Sequence, residues 1–193
     1  MQNHSDRFFV LTGGPGSGKT TLIEALRSAG PATLPEAGRG IIRDQSAIGG
    51  PALPWHDPAQ FAELMLSWEL RSYRAALEQD GPVFFDRGVP DPLGYLRLTG
   101  LPVPDHVRHA AERFRYAGRV FIAPPWPEIF RQDSERKQTL EEAERTFHAM
   151  TNTYTGLGYE LVPLPLAPIE ARLRFVFAEA GLPLEPRHEK GRV

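Results

Sequence analysis

No cysteine occurs anywhere in the 193 residues, which excludes disulfides, a thiolate nucleophile and any zinc site built on thiolates. A surplus of one charge is missing too: 22 Lys and Arg stand against 24 Asp and Glu, for a net charge of -2. A chain that holds a polyanion carries a basic field, so nucleic acid is not expected as a partner. Long apolar runs are absent as well. The polar opening from Met1 to Arg7 leads into Phe8-Phe9-Val10-Leu11, far too brief for a signal-peptide core or a membrane span. The expectation is a soluble, cytoplasmic protein with no membrane partner.

What is abundant is punctuation. Gly (18) and Pro (19) together exceed the usual share of roughly 12%, which predicts many short connections between regular elements. Short apolar runs at Phe8 to Leu11, Val83 to Phe85, Val120 to Ile122 and Tyr159 to Val162 read as strands buried on both faces. A further strand is expected around Ala32 to Leu34. Between the runs, apolar residues recur at helical spacing: Leu22, Ile23 and Leu26; Phe61, Leu64, Met65 and Trp68; Val107, Ala110, Ala111 and Phe114; Leu140, Ala143, Phe147, Met150 and Tyr154; Ile169, Leu173, Val176 and Phe177. Strands alternating with helices call for an α/β fold, a parallel sheet covered on both faces in three layers. No repeat or linker divides it, so residues 1–182 read as one domain and residues 183–193 as a loose tail.

Residues 13 to 20 read Gly13-Gly14-Pro15-Gly16-Ser17-Gly18-Lys19-Thr20, the G-x-x-x-x-G-K-[ST] phosphate loop, placed after a buried strand and before an amphipathic helix as the mechanism requires. The glycines let backbone N–H groups turn inward on an anion, and the helix that follows, with Thr21 in its first turn, adds the positive end of its dipole. Lys19 would reach the outer phosphates of ATP or GTP, and the Thr20 hydroxyl would take one position on Mg²⁺.

Asp86 closes the run Val83-Phe84-Phe85 at the sheet edge that bears the phosphate loop, where it is expected to hold Mg²⁺; capping the next helix is the alternative. Arg87 beside it can pair with an acceptor anion. Glu36 and Arg39, with Arg43, are spaced to share one helical face and would look into an acceptor crevice. Glu36 is then the candidate base, or only a binding residue, and Arg39 an acceptor-binding cation. The charged stretch after Pro124-Pro125 is expected to form a helical lid whose arginines, Arg131 and Arg136, close over the donor, with Asp133 orienting Arg136. His106 and His109 with Glu112 imitate a metal pair but lack a ligand set. Trp55 and Trp68 suit a core or an acceptor wall.

Taken together, the phosphate loop, Glu36-Ala37-Gly38-Arg39, Phe85-Asp86-Arg87-Gly88, the Asp133-x-x-Arg136 spacing and Tyr154-Thr155-Gly156-Leu157-Gly158-Tyr159 give a chain that resembles the P-loop kinase-like ATPases, the family that includes the ribosylnicotinamide kinase domain of a bacterial regulator of NAD biosynthesis. The resemblance runs from Phe8 to about Ala180. It implies a P-loop NTPase fold with sheet order 2-3-1-4-5, ATP or GTP with Mg²⁺, a lid after the fourth strand, and a small-molecule phosphoryl acceptor such as a nucleoside, nucleotide or ribosyl compound. A nucleotide-dependent binding module with slow hydrolysis is the competing expectation. Neither an Asn-Lys-x-Asp nor a Leu-Ser-Gly-Gly segment occurs, which disfavours a Ras-type GTPase and a transporter ATPase.

Overall fold

Phe8 and Val10 point to one face of the central strand and Phe9 and Leu11 to the other, and this period of two assigns each apolar residue to one of two cores. The computed structural model describes residues 4–130 and 139–183. The expectations for Arg131, Asp133 and Arg136, and all but the first residue of the expected tail, therefore lie outside the described residues. Five parallel strands, β1 (Phe8–Gly13), β2 (Ala32–Leu34), β3 (Val83–Asp86), β4 (Arg119–Ala123) and β5 (Glu160–Pro163), form a sheet of order β2-β3-β1-β4-β5. This is the order and the P-loop fold that the resemblance implied. The register pairs Phe8 with Val83 and Leu11 with Asp86 on one side, and Leu11 with Phe121 on the other.

The helices are α1 (Lys19–Ser28), α2 (Ala37–Ile48), α3 (Pro58–Leu77), α4 (Pro90–Leu98), α5 (Asp105–Arg113), α6 (Leu140–Gly156) and α7 (Ile169–Glu179). Leu22, Ile23 and Leu26 of α1 join Val176 and Phe177 of α7 under Phe9, Leu11, Phe84 and Phe121. On the opposite face Phe61 and Met65 of α3, Leu93 of α4, Val107 of α5 and Met150 of α6 cover Phe8, Val10, Phe85 and Ile122. The helix starts follow local chemistry. Pro58 opens α3 while Asp57 accepts a hydrogen bond from Gln60 N at 2.9 Å. A reciprocal Thr139–Glu142 capping box opens α6.

An aromatic column runs from the amino edge of the sheet, where Phe8 opens β1, to the corner after β3. Tyr73 meets Phe8, Phe114 and Tyr116 edge-on with ring centres 5.2 to 5.4 Å apart, and Tyr116 meets Phe85 at 5.0 Å, contacts worth about 0.5–1.5 kcal/mol each beyond burial. The Tyr116 hydroxyl accepts from Val89 N at 3.1 Å, which ties the column to the turn between β3 and α4.

Gly13 and Gly30 have nearly equal positive φ, 121° and 123°, but a Cβ on Gly13 would stand 2.4 Å from the Ala123 carbonyl oxygen, whereas one on Gly30 would meet nothing within 4 Å. Backbone strain is common to both, about 1–2 kcal/mol, so Gly13→Ala should lose at least ~2 kcal/mol more than Gly30→Ala. Urea unfolding of the two variants measures the difference; equal midpoints would contradict the close approach.

Candidate functional site

The loop between β1 and α1 is wedged by its glycines. A Cβ on Gly14 would lie 2.4 Å from the Ala143 carbonyl of α6, and Gly16 and Gly18 take positive φ of 69° and 73° beneath the side chains of Phe130 and Ile129. The Lys19 ammonium is buried and arches back across the loop, donating to the carbonyls of Gly13 and Gly14 and to Ser17 Oγ. Ser17 in turn donates to Gly14 O at 2.8 Å. Thr20 and Thr21 are exposed on the first turn of α1. A loop whose glycines have no room for a Cβ, closed by a lysine and opening a helix, has the chemistry that suits a phosphate.

Beside it, the chain leaves β3 through a strained corner. Arg87 has φ 76°, the one non-glycine residue at positive φ among those described, and its N–H bonds Leu11 O at 2.9 Å. Its guanidinium is gripped from two sides: Nε donates to Glu36 Oε1 at 3.0 Å and Nη1 to Asp91 Oδ1 at 3.0 Å. Burial pulls the Arg87 guanidinium down, but Glu36, Asp91 and Asp86 outweigh it and raise it further above its ordinary value. Asp91 is the hub. It also accepts from Thr12 Oγ1 (2.7 Å), Gly88 N (3.0 Å) and Tyr154 OH (2.6 Å), linking the end of β1, the β3–α4 corner and α6 through one buried carboxylate.

Asp86 lies at the end of β3, buried, as the sequence predicts. It does not cap α4, whose N-cap is Val89; Asp91 satisfies the Gly88 N–H instead. Glu36 stands at the N-cap of α2 rather than within it. It pairs with Arg39 Nε at 3.5 Å as well as with Arg87, but Arg43 does not share that grouping: it lies in solvent, 3.9 Å from Asp44. Of the acceptor-side expectations, Glu36, Arg39 and Arg87 are thus brought together, with Asp86, the expected metal ligand, next to Arg87 at the end of β3. His106 meets Glu63 of α3 at 2.8 Å, not Glu112, and no cluster of three metal-ligating side chains occurs among the described residues. Trp68 packs its ring on Gly40, a helix contact between α2 and α3, while Trp55 is 66% exposed.

The sequence reading missed three groups. Asp91 is signalled by its place four residues after Arg87, the spacing of a helical ion pair. Arg172 sits among the apolar positions of α7, which Ile169 and Val176 mark as inward; its Nη1 donates to Ser17 O at 3.1 Å and its guanidinium lies 5.5 Å from the Trp126 ring, with burial lowering its basicity. Glu69 follows Met65 by four on the inward face of α3. It is 2% exposed, and burial, then the charges of Asp91 and Asp86, push its carboxyl well above the usual range despite Arg87.

Donor chemistry can be tested against this arrangement. Gly13, Gly14, Gly16 and Gly18 pack so closely on Ala123, Ala143, Phe130 and Arg172 that none has room for a Cβ; the bare backbone turn this leaves ahead of α1 suits a polyphosphate, and the Thr20 hydroxyl with the Asp86 carboxylate are hard oxygen donors suited to Mg²⁺. Both groups fit the residues present. Among the described residues no helix is long and apolar enough to cross a membrane.

Residues 8–172 match the family described as AAA domain. No curated protein matches the sequence. Among solved structures the chain is similar to NadR in complex with NR (TM-score 0.70, 21% identity, covering 95% of this chain and 54% of that one). NadR with NAD and AMP-PNP gives a TM-score of 0.65 at 20% identity, over 95% of this chain and 52% of that one. Deoxyadenosine kinase from M. mycoides with dCMP and dCDP bound gives 0.60 at 12% identity, over 90% and 98%. The chain spans about half the length of the NadR chains. These likenesses, all below a quarter identity, establish a P-loop kinase-like fold.

Two predictions come from the Asp91 hub and the Glu69 burial. Asp91→Ala leaves Arg87 half-paired and should cost ~3–5 kcal/mol, Tyr154→Phe about 1–3 kcal/mol, both read from denaturant unfolding; wild-type midpoints would contradict the hub. Glu69, raised in the folded state, contributes stability that is complete below the ordinary carboxylate value and lost as pH rises toward its folded value. Unfolding free energy should therefore fall across that window in the wild type and fall less in Glu69→Gln; parallel pH profiles would contradict the burial.

Proposed function

From the premise that this chain belongs to the AAA-domain family, its match covering residues 8–172, we propose that it is an ATP-dependent small-molecule phosphotransferase. The acceptor in this reading is a nucleoside, nucleotide or ribosyl compound. The observation that carries the proposal is the buried Glu36–Arg87 pair, 3.0 Å long, held at the same sheet edge as the phosphate loop by the bond from Arg87 N to Leu11 O. A hydrolase needs groups that position a water and stabilise charge beside the phosphate loop, but no paired acid and base to anchor a second substrate. An acid and a base fixed beside the loop are what an acceptor needs to be anchored and aligned.

Lys19 and the loop N–H groups hold the polyphosphate of ATP or GTP, and Arg172 fixes the loop from behind by its bond to Ser17 O. Thr20 and Asp86 would hold Mg²⁺, which neutralises phosphate charge when bound. Arg87 and Arg39 anchor the acceptor, so that its oxygen lies in line with the γ-phosphorus. That oxygen forms the new P–O bond as the bond to the β-phosphate oxygen breaks, the nucleoside diphosphate leaves, and the acceptor hydroxyl proton passes to Glu36. Where the acceptor is itself a phosphate, no proton needs removal and Glu36 only binds. Most of the acceleration is positioning and charge stabilisation.

The test is Mg-ATP consumption with and without a panel of nucleosides, nucleoside monophosphates and nicotinamide riboside. Stimulation by one acceptor is expected, with kcat falling at least ~10²–10³-fold in Lys19→Ala; slow hydrolysis indifferent to every acceptor would favour a nucleotide-dependent binding module instead. Glu36→Gln should leave ATP binding intact and slow transfer to a hydroxyl acceptor by ~10²–10⁴-fold, and an unchanged rate would remove Glu36 as the base.

A further inference from the structure

Arg172 is a cation buried without a counter-ion. It is 3% exposed near the start of α7, and its contacts are all uncharged: Nη1 donates to Ser17 O at 3.1 Å and lies 3.5 Å from Gly18 O, while the guanidinium carbon lies 5.5 Å from the Trp126 ring. No carboxylate pairs with it among the described residues, and its Nε is buried with no hydrogen-bond partner. Arg87, by contrast, holds two carboxylates. Burying a charge without an opposite one is strongly unfavourable, and two carbonyl dipoles and a ring face supply only partial negative charge.

The contact falls on one particular peptide of the phosphate loop, and it is close: a Cβ on Gly18 would lie 2.7 Å from Nη1. A peptide group is planar and trans, so a Ser17 carbonyl turned toward Arg172 sends the Gly18 N–H the opposite way. The N–H groups of Gly16, Ser17 and Gly18 make no hydrogen bond with any described residue, and they stand just ahead of α1, whose dipole adds positive potential there. A hydrogen bond accepted by a peptide carbonyl also polarises the N–H at its other end. We propose that the missing counter-ion of Arg172 is the bound polyphosphate, on which Arg172 acts through the Ser17–Gly18 peptide as a positioning residue, aiming and polarising the Gly18 N–H while its charge adds to that of Lys19. Burial keeps bulk water off the guanidinium, so its field reaches the loop little screened. The loop then selects by ligand charge: a polyphosphate gains more than a monophosphate, and a nucleoside gains nothing. The inference rests on the phosphotransferase reading for the presence of a polyphosphate on the loop.

The experiment is calorimetric binding of inorganic tripolyphosphate, ATP, AMP and adenosine to the full chain, as wild type, Arg172→Lys and Arg172→Gln. Transfer from Mg-ATP to the acceptor panel is assayed on the same preparations. Lysine keeps the charge, whereas glutamine keeps an N–H donor for Ser17 O without it. In Arg172→Gln, tripolyphosphate and ATP should bind ~10- to 100-fold more weakly, AMP should lose less and adenosine nothing; Arg172→Lys should restore most of the affinity. A neutral buttress of the loop would be served by either donor, so equal tripolyphosphate affinities in the two variants would overturn the inference. If Arg172→Gln does not fold, Arg172→Lys decides alone: retained affinity supports the inference and a loss of ~10-fold or more overturns it, as does a wild type that binds no polyphosphate. Charge-dependent binding without acceptor-dependent transfer would sustain the role of Arg172 and sink the phosphotransferase, whereas acceptor-dependent transfer with unimpaired ATP binding in Arg172→Gln would do the reverse.

Discussion

The Arg87 guanidinium, buried and divided between Glu36 and Asp91, is the constraint on which the rest of the site depends. Burying a cation costs several kcal/mol unless its partners are well aligned, and here the alignment is paid for by a backbone corner at φ 76° that no other side chain among the described residues adopts. Strain of this kind persists only where the surroundings over-determine it. Leu11 fixes the Arg87 N–H, Asp91 fixes one guanidinium nitrogen, and the Asp91 carboxylate is itself held by Thr12, Gly88 and Tyr154. Three elements that meet nowhere in the sequence are thereby locked to one side chain.

That lock also explains why the loop after β1 and the Arg87 corner share a geometry. Thr12 precedes Gly13, the first glycine of the phosphate loop, so the Thr12–Asp91 bond of 2.7 Å couples the loop's entry to the corner that aims Arg87. Gly14 rests on the carbonyl of Ala143 in the first turns of α6, and Tyr154 at the far end of the same helix reaches Asp91. A single helix thus touches both halves. Sheet order supplies the frame: β1 lies between β3 and β4, so the loop after β1 and the corner after β3 emerge as neighbours.

Much of this was legible in the sequence because it was local. The four apolar runs and the strand expected around Ala32 to Leu34 became the five strands, the glycine-lysine octamer became the turn between β1 and α1, and Asp86-Arg87 stood where a strand should end. Glu36 and Arg39 were legible as a pair but not as a cap, since helical periodicity carries past the N-cap and drew in Arg43, which solvent claimed. The groups that were missed owe their roles to tertiary contact. Asp91 sits between two prolines and looks like turn chemistry; Arg172 and Glu69 look like ordinary charges on amphipathic helices. Each nonetheless broke its local pattern by occupying an inward position, and a charged residue on an apolar stripe is the signal that sequence reading can use.

The central claim is that the phosphate loop and the Arg87 corner are two halves of one transfer site, and the most direct measurement is the fate of the γ-phosphoryl group. With γ-labelled ATP and an acceptor that stimulates turnover, the account predicts label in an organic phosphate ester, and in Arg87→Ala a loss of that ester while ATP binding persists. Label found only as inorganic phosphate, in equal amounts with and without Arg87, would contradict it.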